Sequence, residues 1–243
     1  KSFDEIENAK KMSLHLDIKL HDTKLDKEKF SSNFNKILSL LDEPIGAPTY
    51  IPMYFLSKLA AKNVKSVLSG DGADEIFGGY ENFNYLKIFR LINSLKLNKF
   101  CSKAKNLISL FPISKNNLSL DFKLRRFSQG MEVSEIFQNT FFLSSLSLQD
   151  HEELFKEKFD FEEILDEVIQ FEKENKHVNY IDKNYLYFVN FYIPDLICAR
   201  ADKAGMLNSL EIRSPFLNSK ILNLMLSIPK NKSYLLKNKI ILK

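Results

Sequence analysis

Residues 64–75 have the sequence Val-Lys-Ser-Val-Leu-Ser-Gly-Asp-Gly-Ala-Asp-Glu. Val64–Leu68 is short and contains two β-branched residues, which is typical of a buried strand. This strand leads directly into a loop of Gly and Asp, and Gly78-Gly79 follows shortly after it. Open α/β sheets place their ligands at the carboxyl ends of strands. The segment therefore predicts an α/β fold with a ligand-binding loop at residues 69–75.

Helical periodicity precedes this strand. Apolar residues recur at helical spacing in three stretches, Asp4–His15, Lys27–Leu41 and Pro48–Asn63. Pro52 falls early in the third stretch, where a missing N–H costs least. Ile18–His21 is short and could form a further strand. Residues 1–82 are therefore expected to be the α/β part of the chain, which we assign to nucleotide binding once the resemblance below is considered.

From about residue 83 the character of the sequence changes. Most of the 21 Phe residues fall here, and no alternating strand is convincing. Helical periodicity is found in four stretches: Glu152–Lys158, Phe161–Lys176, Tyr180–Ile193 and Ser219–Ser227. Residues 83–243 are thus expected to be a mainly helical layer packed on a small sheet.

Composition excludes several classes of protein. With 243 residues, 44% of them hydrophobic, the chain is large enough for a sizeable core. No stretch approaches the roughly 18 consecutive apolar residues of a membrane-spanning helix. Two cysteines, Cys101 and Cys198, make no disulfide framework or zinc site, which favours a reducing, cytoplasmic location. The net charge of +4 forms no basic stripe with interleaved aromatics, so nucleic-acid binding is not indicated.

The loop after the strand has the composition of a phosphate and metal site. Gly70 and Gly72 allow close approach of a ligand to the backbone. Asp71, Asp74 and Glu75 crowd three carboxylates together, which is costly unless a cation or a positive side chain neutralises them. Oxygen ligands of this kind suit Mg²⁺ held jointly with phosphates. The pattern fits neither an EF-hand nor a Walker loop, and a plain surface turn stays open as an alternative.

A second polar signal lies in an otherwise apolar stretch near the other end. Six charged residues occur there: Asp195, Arg200, Asp202, Lys203, Glu211 and Arg213. Charges in such surroundings are usually paired with each other or bound to a ligand. Glu211 with Arg213 favours an internal ion pair, whereas Lys203 is the better candidate for a phosphate contact. On charge alone, Lys239 is expected to be solvated.

Four segments together carry a resemblance to a known family. These are Ser69–Tyr80 with Asp42-Glu43-Pro44 before it, Arg200–Lys203 with Ser209–Arg213 and Pro215–Leu217 after it, Phe3-Asp4-Glu5 with Ala9-Lys10, and Lys239–Lys243. They closely resemble the synthetase domain of glutamine-hydrolysing asparagine synthetases, nearly from end to end of the chain. The last segment looks like the family's Lys-x-x-Leu-Arg/Lys, which makes Lys239 a candidate site residue.

The resemblance implies an adenine-nucleotide α-hydrolase-like fold and an ATP-dependent ligase. In that family ATP adenylates the side-chain carboxylate of aspartate with release of pyrophosphate, and ammonia from glutamine then gives asparagine and AMP. The implied cofactors and co-substrates are ATP and Mg²⁺. The implied partner is an amino-terminal glutaminase domain of the same chain, with no membrane involved.

The resemblance also implies roles for particular residues. Ser69 and Gly70 would contact ATP, and Asp71 would help to form or use the acyl-adenylate. Asp74 would be a Mg²⁺ ligand. Two lysines would stabilise negative charge, Lys203 at the phosphates and Lys239 in the adenylation and amide-forming steps.

Several features depart from the family pattern. The pyrophosphate loop Ser-Gly-Gly-x-Asp-Ser is absent, and so is the glutaminase domain; both would lie before Lys1, so a fragment that is inactive alone is expected. Asp71 stands where many members have Glu, Asn218 replaces an Asp, and Gly205 stands where a larger residue is common. The alternatives are therefore an amidotransferase or β-lactam synthetase-like ligase that acts on another carboxylate, or a non-catalytic module with the same fold.

Overall fold

The structure is a computed structural model of the 243-residue chain. It describes residues 4–43, 45–80, 82–97, 119–131, 135, 137–138, 148–156, 165–228, 239 and 242. Several sequence-based expectations lie partly outside these residues, among them the end of the helix predicted at Glu152–Lys158, the beginning of the helix predicted at Phe161–Lys176, and most of the segment Lys239–Lys243. Within the described residues, no helix is long and apolar enough to cross a membrane.

Helices make up most of the described structure. In chain order the elements are α1 (Ile6–His15), α2 (Lys27–Ser39), α3 (Tyr50–Ala60), β1 (Ser66–Leu68), α4 (Ala73–Ile76), α5 (Asn82–Ser94), α6 (Leu120–Gly130), α7 (Leu148–Phe155), α8 (Asp166–Glu174), α9 (Tyr180–Tyr187), a π-helix (Phe188–Cys198), α10 (Ala199–Met206), β2 (Glu211–Arg213), a 3₁₀ turn (Pro215–Leu217) and α11 (Ser219–Ser227).

The early helices confirm the periodicity, and local capping explains where two of the helices begin. The side chain of Asp26 accepts a hydrogen bond from the backbone N–H of Lys29 at 2.8 Å and so caps α2. Asn179 caps α9 in the same way through the N–H of Asp182, at 3.1 Å. By contrast, Ile18–His21 forms no strand.

The sheet corrects two sequence-based expectations. The first strand was expected to be buried, but β1 is largely exposed, and Leu68 at its end is 76% exposed. β1 pairs in parallel with β2, so a strand also exists in the part of the chain that was expected to be mainly helical. Ser66 lies opposite Glu211, and the N–H of Ser69 extends the ladder by donating to the carbonyl of Arg213 at 2.8 Å. Three residues are too few to show alternation, and only the partner strand, far away in the sequence, defines β2 as a strand.

The chain divides into two compact units. The first combines residues 1–72 with 190–223, and the second combines 73–189 with 224–243. The change in sequence character predicted a boundary after residue 82. The assignment of residues 1–82 to nucleotide binding stays a prediction. The described residues form a mostly helical structure with a small parallel sheet, in agreement with the α/β class.

The core of the first unit lies between α3 and its neighbours. Its buried members come from α2, α3 and α10, and they are Ile37, Tyr50, Ile51, Tyr54, Phe55 and Ala204. α10 packs on α3 and against β2, so Arg200 on α10, which binds the loop after β1, has a fixed support.

Aromatic side chains dominate the core of the second unit. The rings of Phe83 and Phe188 lie 5.1 Å apart, and those of Phe89 and Phe127 stack at 4.6 Å. A buried polar contact accompanies them, since the amides of Asn93 and Gln138 exchange hydrogen bonds at 3.0 and 3.1 Å. Phe residues, which are concentrated in the second half of the sequence, thus form part of this core.

Gly205 allows α10 to approach β2 closely. A Cβ at this position would lie 2.6 Å from the carbonyl oxygen of Leu210 and 3.1 Å from Cγ1 of Ile212. The carbonyl of Gly205 also accepts the N–H of Leu210 at 3.0 Å, which turns the chain from the helix into the strand. This contact explains why a small residue stands here.

We expect Gly205→Ala to lower the free energy of unfolding by about 1–3 kcal/mol, because the added methyl overpacks a backbone contact. Urea denaturation measures the change. Gly46→Ala is the matched control, since Gly46 is exposed and a Cβ added there would have nothing within 4 Å. Equal stability of the two variants would show that the close approach is not a real constraint.

Candidate functional site

The loop that follows β1 is closed by its own side chains. The hydroxyl of Ser69 donates to Oδ2 of Asp71 at 2.6 Å, and the backbone N–H of Asp71 donates back to the Ser69 oxygen at 3.2 Å. Gly72 has φ +89°, and a Cβ there would lie 2.2 Å from Cδ2 of Leu217. Both its conformation and its packing therefore require glycine.

Arg200, on α10, holds the other oxygen of the Asp71 carboxylate. Its guanidinium donates to Oδ1 of Asp71 at 2.5 Å and to the hydroxyl of Thr49 at 2.9 Å. The Asp71 and Arg200 side chains are only 12% and 15% exposed. Both oxygens of Asp71 are thus engaged, and the carboxylate is held in one orientation.

Arg200 and Thr49 were not predicted as site residues. A signal for Arg200 was available, because a charge in an apolar stretch needs a partner. No signal in the sequence pointed to Thr49, which lies 151 residues away from Arg200 and joins it only through the fold. The Nε atom of Arg200 is buried and has no hydrogen-bond partner among the described residues.

Lys203, one turn further along α10, binds two carboxylates. Its ammonium group donates to Asp42 and, at 2.8 Å, to Oε1 of Glu43. These hydrogen bonds raise the pKa of Lys203 above 10.5 and lower the pKa of Asp42 below 3.8. In the described residues Lys203 makes no ion pair with Asp71, so its predicted phosphate contact stays a prediction.

Asp74 and Lys239 meet in the second unit. Lys239 Nζ lies 2.7 Å from Oδ1 of Asp74, and their side chains are 33% and 42% exposed. Gly79 lies against this pair, because a Cβ there would be 1.8 Å from Oδ1 of Asp74 and 2.4 Å from Cε of Lys239. Charge alone predicted that Lys239 is solvated, and the ion pair shows that this prediction is wrong. As a candidate site residue, Lys239 has Asp74 as its partner.

Glu75 differs from the other two carboxylates because it is buried, with 3% exposure. The hydroxyl of Tyr80 donates to its Oε1, and the hydroxyl of Tyr185 donates to the carbonyl of Ile76 at 3.2 Å. Asp71 and Asp74 thus have the positive partners that the crowding predicted, whereas Glu75 accepts from a neutral hydroxyl. Glu75 is engaged in holding α4, and its burial removes it from contact with a ligand.

A cavity of about 490 Å³ adjoins Ser69 within the first unit. Its walls are mainly apolar and come from α3, β1 and β2, with Met53, Leu56, Val67 and Ile212 among them. Gly70, beside Ser69, is exposed and has open space around it. The loop therefore presents a backbone surface to solvent next to an apolar hollow.

Among the described residues, no group of three or more His, Cys, Asp or Glu side chains could hold a metal ion by itself. A single carboxylate is enough for Mg²⁺ when phosphates supply further oxygens. Asp74 fits this requirement, because it is partly exposed and the described residues engage its Oδ1 and leave its Oδ2 open. Glu211 and Arg213 form an ion pair, with the two contacts at 3.0 and 3.2 Å, but the pair is exposed and not internal as the sequence predicted.

The ion pairs of Lys203 with Asp42 and Glu43 predict that the stability of the protein falls at both low and high pH. The lowered pKa of Asp42 means that its contribution to stability is complete above about pH 4 and is lost as pH falls through the folded-state value. The raised pKa of Lys203 means that its contribution is complete below about pH 10 and is lost as pH rises.

We therefore expect the stability difference between the wild type and Asp42→Asn to be constant around neutral pH and to shrink below about pH 4. Chemical denaturation at a series of pH values measures it. Asp17→Asn is the control, because Asp17 is exposed and has no ion pair among the described residues. A difference that stays constant down to about pH 2 would contradict the assignment.

Comparison with known proteins assigns this chain to a family. The family model described as asparagine synthase matches residues 1–243. The chain is 29% identical to asparagine synthetase [glutamine-hydrolyzing] 1 of Bacillus subtilis over 93% of its length, and it spans about a third (35%) of that protein.

Shorter matches are more similar. A putative asparagine synthetase [glutamine-hydrolyzing] of Mycobacterium tuberculosis is 47% identical over 22% of the chain and 8% of its own length. A probable asparagine synthetase [glutamine-hydrolyzing] of Dictyostelium discoideum is 68% identical over 14% of the chain and 6% of its own length. No solved structure matches significantly. On the match over all 243 residues, the chain belongs to the asparagine synthase family.

Proposed function

We propose that this chain is part of an ATP-dependent ligase domain that makes asparagine from aspartate. An oxygen of the aspartate side-chain carboxylate bonds to the α-phosphorus of ATP, and the bond from that phosphorus to pyrophosphate breaks. Ammonia then attacks the acyl carbon, the bond to AMP breaks, and a proton leaves the nitrogen to give asparagine. The fixed Asp71 carboxylate at the end of β1, in a member of this family, is the observation that carries the proposal.

Ser69 and Gly70 are proposed to contact the nucleotide. The loop offers open backbone at Gly70, and the cavity beside Ser69 has the volume and apolar walls of a small-molecule site. A flat purine suits apolar walls, while its phosphates need the polar loop. This separation of apolar and polar surface supports ATP as the ligand.

Asp71 is proposed to help form or use the acyl-adenylate. Arg200 and Ser69 engage one lone pair on each of its oxygens, and a carboxylate has about four such sites. The group can therefore accept a further hydrogen bond from a substrate N–H without moving. A side chain that is already oriented before the reaction loses little entropy in the transition state.

Lys203 and Lys239 are proposed to stabilise negative charge. An ammonium group has three donors, and Asp42 and Glu43 take two of those on Lys203, so one is left for a phosphate oxygen. Lys239 pairs with Asp74 and is proposed to act in the adenylation and amide-forming steps. Such pre-positioned charge is usually worth more than a nucleophile in phosphate chemistry.

Asp74 is proposed as the residue that holds Mg²⁺. When bound, the ion would neutralise phosphate charge during adenylation. The Oδ2 of Asp74, which has no partner among the described residues, would hold the ion, while the Lys239 ammonium pairs with Oδ1.

The nitrogen donor and location are also proposals. The names of the relatives specify glutamine hydrolysis, which supports a glutaminase domain in the complete protein as the source of ammonia. The small number of cysteines favours the cytoplasm.

The test is pyrophosphate release from ATP by the complete gene product, measured with aspartate, glutamate and no added acid. We expect release that depends on aspartate. Lys239→Met is expected to lower it about 10²–10³-fold, the usual cost of removing one transition-state charge contact. Gly79→Ala is expected to lower it as well, because its methyl would displace the Asp74–Lys239 pair.

Lys36→Met is the matched control, since Lys36 is exposed on α2 and has no ion pair among the described residues. It should leave release unchanged. Release that responds to another acid and not to aspartate would replace the substrate, and no release with any carboxylic acid would favour a non-catalytic module.

A further inference from the structure

We propose that the first unit has a second anion site, in a cavity between α2 and α3, which binds a small phosphate-bearing anion. The cavity has a volume of about 280 Å³. It is lined by three lysines, two neutral polar residues and two apolar residues: Lys29, Lys58, Lys62, Thr23, Asn33, Phe55 and Leu59. None of these residues has a role in the function proposed above.

Lys29 is the best-defined of the three lysines. Its Nζ donates to the hydroxyl of Thr23 at 2.9 Å and to the carbonyl of Lys24 at 3.3 Å. The same ammonium lies 4.6 Å from the centre of the Phe55 ring, in cation–π contact. The side chain is therefore held in one place and half-buried, although no carboxylate among the described residues forms an ion pair with it.

The position of Lys29 in its helix makes this arrangement costly. It is the third residue of α2, where the helix dipole disfavours positive charge. Asp26, which caps the same turn, engages the backbone N–H of Lys29 and not its ammonium. A fixed cation at this end of a helix, without a counter-charge on its ammonium, points to an anion that is supplied from outside.

Lys58 and Lys62 add further positive charge to the same cavity. They are four residues apart at the end of α3 and in the turn after it, so their like charges repel. The dipole of α3 favours cations there and accounts for part of this placement. The dipole of α3 does not account for Lys29, which lies at the N-terminal end of α2. No acidic side chain among the described residues lines the cavity.

The chemistry of the lining fits a phosphate group. Lysine ammonium groups bind phosphate as compact point charges. A phosphate ester carries about −1.5 to −2 charges at pH 7, which would offset much of the charge of the three lysines. Thr23 accepts a hydrogen bond from Lys29, so its own hydroxyl hydrogen is left to donate. The cavity is at the lower limit for small-molecule pockets, which favours a single phosphate or diphosphate group over a whole nucleotide.

The experiment is calorimetric titration of the full chain with inorganic phosphate at constant ionic strength. We expect saturable binding that weakens as salt is added. The double variant Lys58→Gln/Lys62→Gln should weaken it by about tenfold or more, because it removes two of the three positive charges that line the cavity. Lys36→Gln, which removes an exposed lysine of α2 outside the cavity, should bind like the wild type.

A second titration with glycerol 2-phosphate distinguishes the source of the phosphate. Equal or tighter binding of the ester identifies the phosphate group of a larger molecule as the ligand, and weaker binding identifies the free ion. Unsaturable binding, or equal affinity of the wild type and the double variant with both ligands, would overturn the proposal. The measurement needs no turnover, so its failure leaves the proposed ligase activity unaffected.

Discussion

The ion pair between Asp71 and Arg200 is the interaction on which the rest of the first unit's site depends. Asp71 belongs to the loop that ends β1, and Arg200 belongs to a helix reached 129 residues later. Their 2.5 Å contact is largely buried, and Thr49 and Ser69 complete it. Removing one partner of such a pair leaves an uncompensated charge, which typically costs about 3–5 kcal/mol. The packing of α10 on α3 therefore supports the loop, in addition to the hydrogen bonds within the loop itself.

This dependence links the core to the chemistry. The apolar residues of α2, α3 and α10 hold the helix that carries Arg200, and Gly205 lets that helix approach β2. The same helix carries Lys203 and ties it to the segment after α2. In the second unit, Gly79 leaves room for the Asp74–Lys239 pair in a comparable way. Positive side chains thus form ion pairs with two of the three carboxylates in residues 71–75, and each ion pair lies within one unit.

The sequence was informative where the determinants are local. Helical periodicity predicted α2 and α3, β-branched residues predicted β1, and the crowding of carboxylates predicted that each needs a partner. It was not informative where distant segments meet. β2 has only three residues, and its pairing with β1 makes it a strand. Arg200 and Thr49 are joined by folding alone, and no local pattern distinguishes Thr49 from any other helix-capping residue. The partners of Lys203 lie 161 and 160 residues before it, so its two ion pairs could not be foreseen either.

The most direct test of this account is a double-mutant cycle on the free energy of unfolding, with Asp71→Asn, Arg200→Gln and the combined variant. If the pair holds the loop, the two single changes should be non-additive, with a coupling energy of about 1–3 kcal/mol. Effects that add to within about 0.5 kcal/mol would mean that Asp71 and Arg200 do not stabilise each other. The loop would then have no fixed support, and the central claim would fail.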